Sequence, residues 1–464
     1  MEKKGFSRRG FLSSSALGAL GTLGAAALIT SCSKSKKLGE AIVPPLLDQA
    51  PDGKPLRAGL IGCGGRGSGA AKDFLSAGPN LQIVALGDLF GDRLNNCREG
   101  LKKEKNVEVA DDKCFIGFDA YQKVIACDVD IVILATPPHF RPMHFAAAVE
   151  AGKNVFMEKP VAVDPVGARS IMASSKKAEA KGLTVICGTQ RRHQKQYVEV
   201  YKQIMNGAIG EIVSANVYWN QSQLWFKSRE AGWSDMEWMV RDWVNWSWLS
   251  GDHIVEQHVH NIDVAHWFMG KHPVKAVAFG GRHRRVTGDQ YDMFSVDYVF
   301  EDGKHLHSMC RQIDGCENAV WEYFQGTDGY ATCNKSHLEF KIYKNDGTLI
   351  WEYAYPKDEK GEPTDKDMIS PYVQEHIDFV TCIRQNTPVV EAEGCAVSTL
   401  TGIMGRLSAY SGKQVTWEEM MNSPLELKPK EYVLGPQDMA SYVVPVPGSP
   451  KEEEKKEEKK TDKK

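Results

Sequence analysis

The short apolar run at residues 56–61 passes without a break into Gly62-Cys63-Gly64-Gly65-Arg66-Gly67. Few features restrict a fold as tightly. A buried strand that ends on glycines at this spacing and opens a helix suits a dinucleotide loop. Gly62 serves a tight turn, Gly64 lets backbone approach a pyrophosphate, and Gly67 lets the helix pack closely on the strand. Ala70, Ala71, Phe74 and Leu75 give that helix one apolar face, and its first N–H groups, from Gly65 and Arg66 onward, can hold phosphate. Residues 81–86 read as the second strand, and Asp88 follows about twenty residues after the loop, where the dinucleotide pattern expects an acid. A carboxylate there accepts hydrogen bonds from ribose hydroxyls and repels a 2′-phosphate, which favours NAD over NADP. Arg66 and Arg93 leave a second option open, since either guanidinium can stack on adenine or hold a phosphate.

A further apolar run, residues 129–135, ends in Thr136-Pro137-Pro138-His139. A helical stretch at 144–151 stops at Gly152, and the strand at 154–157 runs into Glu158-Lys159-Pro160. Strands and helices alternating in this way predict an α/β chain that opens with a Rossmann domain, a doubly wound parallel sheet. Ligands of such sheets sit beyond the carboxyl ends of the strands, so the glycine loop, Thr136, Pro137, His139 and Glu158 should converge on the cofactor. Past Gly182 the strands become longer and alternating, at 211–219, 274–280, 294–300, 305–311 and 340–343, with few helices between them. This predicts a C-terminal α+β domain built on a large, mostly antiparallel open sheet. Helical patterns at 371–383 and 396–410 should return toward the first domain.

At Glu158-Lys159-Pro160 the pattern becomes specific. Together with the glycine loop, Gly188-Thr189-Gln190-Arg191-Arg192, the turn at 207–212 and His260-Asn261-Ile262-Asp263, the sequence resembles the Gfo/Idh/MocA oxidoreductase family over residues 56–425. The resemblance implies that Lys159 lies at the nicotinamide and takes part in catalysis, and that His260, on a helix of the second domain, is the acid–base. Glu256 stands where the family has an aspartate. The chemistry agrees: oxidising a secondary alcohol needs a base near neutrality, which a histidine supplies, and an ammonium can steady the developing alkoxide. At helical spacing His253, Glu256, His260 and Asp263 share one face. That face is expected to meet sugar hydroxyls rather than a metal, because the H-E-x-x-H arrangement is missing. Arg191 and Trp243 join His253 and Asp263 as expected substrate contacts. Eight of the eleven tryptophans lie between Trp219 and Trp267. With Arg229 and Arg241 among them, they suggest a loop capping a carbohydrate or polyol site, while core packing remains the alternative for each. The resemblance also implies a homodimer or homotetramer.

The two ends read differently. Ser7-Arg8-Arg9-Gly10-Phe11-Leu12 and the small-apolar run at 16–29 resemble a twin-arginine export signal, and Ile29-Thr30-Ser31-Cys32 looks like a lipobox. The expected division is a signal peptide at 1–32, a linker at 33–55, the Rossmann domain at 56–182, the second domain at 183–430 and an extension at 431–464. Residues 449–464, nearly all Lys and Glu, should be disordered. The expected location is the periplasm, with the chain anchored through a lipidated Cys32. No free nicotinamide pool exists there, so the cofactor should be tightly held and recycled within each turnover. The leading expectation is an NAD-dependent sugar oxidoreductase; a redox-neutral NAD-dependent glycosidase and a sugar-binding lipoprotein without catalysis are the alternatives. With 57 basic against 60 acidic side chains, there is no electrostatic case for a nucleic-acid partner. Eleven cysteines without C-x-x-C pairs match neither a zinc framework nor a small disulfide scaffold.

Overall fold

The computed structural model describes residue 44 and residues 46–448, His337 excepted. The expected signal peptide, Cys32, the first part of the linker and the Lys/Glu tail lie outside the described residues.

The first domain alternates β1 (Leu56–Ile61), α1 (Gly65–Ser76), β2 (Leu81–Asp88), α2 (Gly91–Lys105), β3 (Cys114–Ile116), α3 (Ala120–Ile125), β4 (Ile131–Leu134), α4 (Arg141–Glu150), β5 (Asn154–Met157), α5 (Pro165–Ala180) and β6 (Val185–Cys187). All six strands run parallel in the order β3-β2-β1-β4-β5-β6, the doubly wound arrangement. Central β4 reads Ile-Val-Ile-Leu and is buried throughout, as a strand covered by helices on both faces must be. Asp164 caps α5 through the Gly167 N–H at 2.7 Å, with Pro165 opening the helix. The expected boundary at residue 182 falls one strand early. β6 pairs with β5 from Val155 to Met157 and completes the first sheet.

The second domain contributes α6 (Lys195–Met205), β7 (Ile212–Gln221), α7 (Asp235–Arg241), α8 (Ser247–Ser250), α9 (His253–Glu256), α10 (Val259–Met269) and strands β8 (Lys275–Gly281), β9 (Met293–Val299), β10 (His305–Gln312), β11 (Ala319–Gly326), β12 (Gly329–Cys333), β13 (Phe340–Lys344) and β14 (Leu349–Glu352). Helices α11 (Pro371–Gln385) and α12 (Ala392–Ser411) and the short β15 (Val415–Thr416) follow. Nine strands form one sheet in the order β14-β13-β12-β11-β7-β10-β9-β8-β15, antiparallel except where β10 lies parallel to β7. Burial alternates along β10: Leu306, Ser308 and Cys310 face inward, and the other face is open. Ile254, Val264, Leu400 and Met404 join the inner sheet residues in one hydrophobic core. As expected, α11 packs on α1 and α12 bridges α5 and β8.

The end of the expected linker is not a tether. Ala50 is buried in the first-domain core and its N–H donates to Ala77 at 2.8 Å. The Arg384 guanidinium on α11 donates to the carbonyls of Pro51 and Pro79, so these residues are part of the fold. The extension is packed as well: the Gln437 N–H donates to Asp235, and Tyr291 donates to the Pro445 carbonyl.

Candidate active site

The carboxyl ends of β1, β2 and β4 open on a cleft of about 670 Å³. Gly62 has φ +97°, and a Cβ there would lie 2.6 Å from the backbone of Ala135 and Thr136. At Gly67 a Cβ would sit 1.8 Å from the Gly62 carbonyl oxygen, so only glycine lets α1 meet the loop. Gly65, by contrast, faces open space. The N-terminus of α1 has neither a side-chain cap nor an acid in its first turn, which leaves its N–H groups for an anion. Asp88 takes the Cys63 N–H at 2.7 Å and the Phe90 N–H at 2.8 Å; burial pushes its pKa up against those bonds. Asp88, Arg93, Thr136 and Pro137 all line the cleft, as do Tyr121 and His144, whose rings stack at 4.2 Å. An extended dinucleotide fits this combination of a bare helix terminus, a glycine floor and an acid at the end of β2.

Two expected cofactor residues face elsewhere. His139 points its Nε2 at the Tyr432 hydroxyl, 2.8 Å away, and packs edge-on against Trp248; burial pulls its pKa down to about 4. Glu158 is buried beneath the loop and receives Arg66 Nε at 2.5 Å. Arg66 does border the cleft, but its other nitrogens reach Asp73 and Glu375, and its guanidinium lies 4.7 Å over the Tyr372 ring. It therefore ties the glycine loop to the Glu-Lys-Pro turn, with a carboxylate partner on each of its three nitrogens. Arg141, which the sequence did not flag, links the two neighbouring turns: its guanidinium donates to the carbonyls of Thr136 and Pro160.

Beside this turn stands the second group. Lys159 donates to the Glu256 carbonyl at 2.5 Å and to its carboxylate at 3.1 Å, and both side chains are nearly enclosed. His260 stacks on Trp219 at 5.5 Å, and its buried Nδ1 has no hydrogen-bond partner among the described residues. Burial first, and then the charge of Lys159, hold its pKa well below the usual histidine value. Both effects favour the neutral form of the imidazole.

The polar face expected from 253 to 263 does not exist as one surface. The helix breaks at Gln257 and His258, where bonds run from His258 N–H to the His253 carbonyl and from His260 N–H to the Gln257 carbonyl. His253 consequently turns to Asp252 at 3.0 Å and packs on Phe294. Asp263 takes a bidentate pair from Arg192 at 2.7 and 2.9 Å plus the Ser398 hydroxyl. Arg191 is buried in an ion pair with Glu322, beside Trp219 and Tyr197. These three residues are engaged inside the protein. Trp243 lines the nucleotide cleft with Trp225, Lys227 and Arg241, so the tryptophan-rich segment caps the cofactor side, while Trp246 and Trp248 are core residues beneath it. Among the described residues no cluster of three or more metal-ligating side chains occurs.

The comparisons with known proteins agree with this architecture. Residues 56–188 match the Gfo/Idh/MocA model for an oxidoreductase family with an NAD-binding Rossmann fold, and residues 197–332 match the C-terminal domain model of the same family. This chain belongs to the Gfo/Idh/MocA oxidoreductase family, and its dinucleotide is NAD. An inositol 2-dehydrogenase of Rhizobium meliloti is 24% identical over 299 residues, which span 63% of this chain and 80% of that protein. A D-glucoside 3-dehydrogenase of Escherichia coli is 25% identical over 50% of this chain and 59% of its own length, so the match spans less than two thirds of that relative. A levoglucosan dehydrogenase solved with NADH and levoglucosan superposes with a TM-score of 0.62 at 18% identity, covering 78% of this chain and 99% of that one. An aldose–aldose oxidoreductase from Caulobacter crescentus gives 0.60 at 16% identity, with coverages of 78% and 99%. At these identities the solved structures speak for the fold.

Proposed function

We propose that this protein oxidises a secondary hydroxyl of a sugar, glycoside or polyol, with Lys159 and His260 managing the proton at the reacting oxygen. The observation that carries the reading is a lysine held by Glu256 at the carboxyl end of the parallel sheet, with the His260 imidazole, stacked on Trp219, within reach of that lysine's charge. NAD supplies the hydride acceptor when bound. His260 takes the hydroxyl proton, and burial keeps it in the form that can do so. The Lys159 ammonium, nearly enclosed and so poorly screened, would steady the alkoxide as it develops. Glu256 fixes the direction of that ammonium. The names of the sequence relatives, inositol and glucoside dehydrogenases, support a polyol or sugar as the donor of the CH–OH group.

The export signal and lipobox support a periplasmic, lipid-anchored chain whose NAD is carried through export and recycled within each turnover. The open face of the second sheet, where Phe279 is 76% exposed, supports pairing of subunits into a homodimer or homotetramer. Denaturing purified protein should release close to one NAD or NADH per chain. Adding sugars to the native protein should then change the reduced-nicotinamide absorbance. Phenol release from aryl glycosides without any acceptor would instead favour the redox-neutral glycosidase, and no absorbance change with any sugar would favour a binding protein.

A further inference from the structure

The nucleotide cleft has a second wall that the glycine loop does not predict. Trp225, Lys227, Arg241 and Trp243, all from the second domain, line it opposite the loop and Asp88. Arg241 fastens this wall to the Rossmann domain. Its two terminal nitrogens meet the carboxylate of Asp92, in the first turn of α2, at 2.9 and 3.2 Å, and its guanidinium lies 3.9 Å over the Phe90 ring. From outside, the chain's C-terminal extension holds the wall in place. The Gly435 carbonyl accepts the Met236 N–H at 3.1 Å, and the Gln437 N–H donates to Asp235 at 2.9 Å. Tyr442 packs edge-on against Trp246 at 5.8 Å, and Tyr432 reaches His139 and packs on Phe140, itself a cleft residue.

We propose that residues 225–243, clasped by the Arg241–Asp92 pair and backed by residues 432–442, are a cofactor-retaining wall that slows exchange of NAD with solvent. The inference rests on the reading of the cleft as the NAD site and adds residues to that site from the second domain. A dinucleotide in the cleft has loop backbone on one side and indole and guanidinium groups on the other. Where the wall covers the dinucleotide, release would need the wall to move, and that motion would break a bidentate, ring-stacked contact.

The test uses the purified full chain, loaded with NADH and chased with excess NAD while nicotinamide fluorescence reports release. Asp92→Ala and Trp225→Ala remove side chains that are 57% and 46% exposed, so the fold survives, as circular dichroism will verify. Wild-type protein is expected to keep its cofactor through desalting. Each variant should release it about threefold to tenfold faster, the range expected for losing one partly exposed charged or aromatic contact. Arg241→Ala combined with Asp92→Ala should be no faster than Arg241→Ala alone, whereas general loosening of the structure would add. Variants that release at the wild-type rate would overturn the wall. Rapid exchange in the wild type, with sugar oxidation intact on added NAD, would overturn it too and leave the catalytic reading standing. Failure of the wild type to bind NADH at all would remove both.

Discussion

The Lys159 ammonium lies 2.5 Å from the carbonyl and 3.1 Å from the carboxylate of one residue, Glu256. A single turn of the second domain thereby grips the motif lysine of the first. The carboxylate balances charge in an enclosed setting, where leaving either partner alone costs about 3–5 kcal/mol. Lys159→Ala should lower kcat by about 10²–10³-fold, the scale of removing one preorganised electrostatic group, with bound NAD unchanged. Glu256→Gln should lower kcat less and should also lower the unfolding midpoint. An unchanged kcat in Lys159→Ala would remove the lysine from the mechanism.

His260 supplies a pH test. A base must be unprotonated to work in the oxidative direction, and burial beside Lys159 holds its pKa well below 6.5. The acid limb of kcat/KM for oxidation should therefore fall below the ordinary histidine range, and activity should persist as pH drops through 6.5. His260→Asn should remove that limb along with most of the rate. A profile of the free enzyme that breaks at or above 6.5 would contradict the assignment.

The contrast between these residues and their neighbours explains what the sequence could reveal. The glycine loop, Asp88 and the alternation of β1 to β5 are local signals, set by turn geometry and burial over a few residues, and they were readable. Lys159 and His260 were singled out by the motifs that carry the family resemblance. Arg192–Asp263 and Arg191–Glu322 are not, because nothing local distinguishes a charge that meets substrate from one that meets a partner 71 or 131 positions away. The break at Gln257 was hidden for a related reason: a polar face drawn at constant helical spacing assumes a continuous helix, and two bonds of altered span are enough to part His253 and Asp263 from Glu256 and His260. The tryptophan-rich composition pointed to a carbohydrate cap, but only position in the fold could show that Trp225 and Trp243 line the cleft at the glycine loop while Trp246 and Trp248 pack in a core. The packing of residues 46–55 was equally invisible, since it depends on Ala50 and on an arginine in α11 far along the chain.

Gly65 and Gly67 separate binding from folding within one loop. A methyl at residue 67 would meet the Gly62 carbonyl oxygen at 1.8 Å, while one at residue 65 meets nothing within 4 Å. Gly67→Ala should therefore lower the melting temperature and cofactor content together. Gly65→Ala should leave the melting temperature of cofactor-free protein nearly unchanged, so any loss of NAD affinity reports on the close approach of the pyrophosphate. Equal melting losses in the two variants would refute this division.

Asp263 can be told from a substrate contact by kinetics. Its carboxylate is filled by Arg192 and Ser398, so Asp263→Ala should destabilise the fold by about 3–5 kcal/mol, as expected when a buried ion pair loses one partner. The KM for the sugar should not move beyond what the loss of folded protein explains. A KM raised tenfold at wild-type stability would return Asp263 to the substrate site.

His193 provides the last prediction, one of stability against pH. It sits between Asp378 at 2.8 Å and Glu391 at 3.4 Å. Burial alone would lower its pKa, but the two carboxylates outweigh it and hold the imidazolium up to a pKa of about 10. The folded protein therefore binds this proton more tightly than the unfolded chain, whose histidine titrates near 6.5. The stabilisation is complete below pH 6.5, declines as the unfolded chain loses its proton first, and is gone once pH passes about 10. Urea unfolding of the wild type should show this decline across pH 6.5–10. His193→Gln, which keeps a donor but cannot titrate, should start from lower stability and show a flatter curve over the same range. Parallel curves for the two proteins would mean that the histidine is neutral in the fold and that a proton on one carboxylate, or another cation, offsets the buried charge.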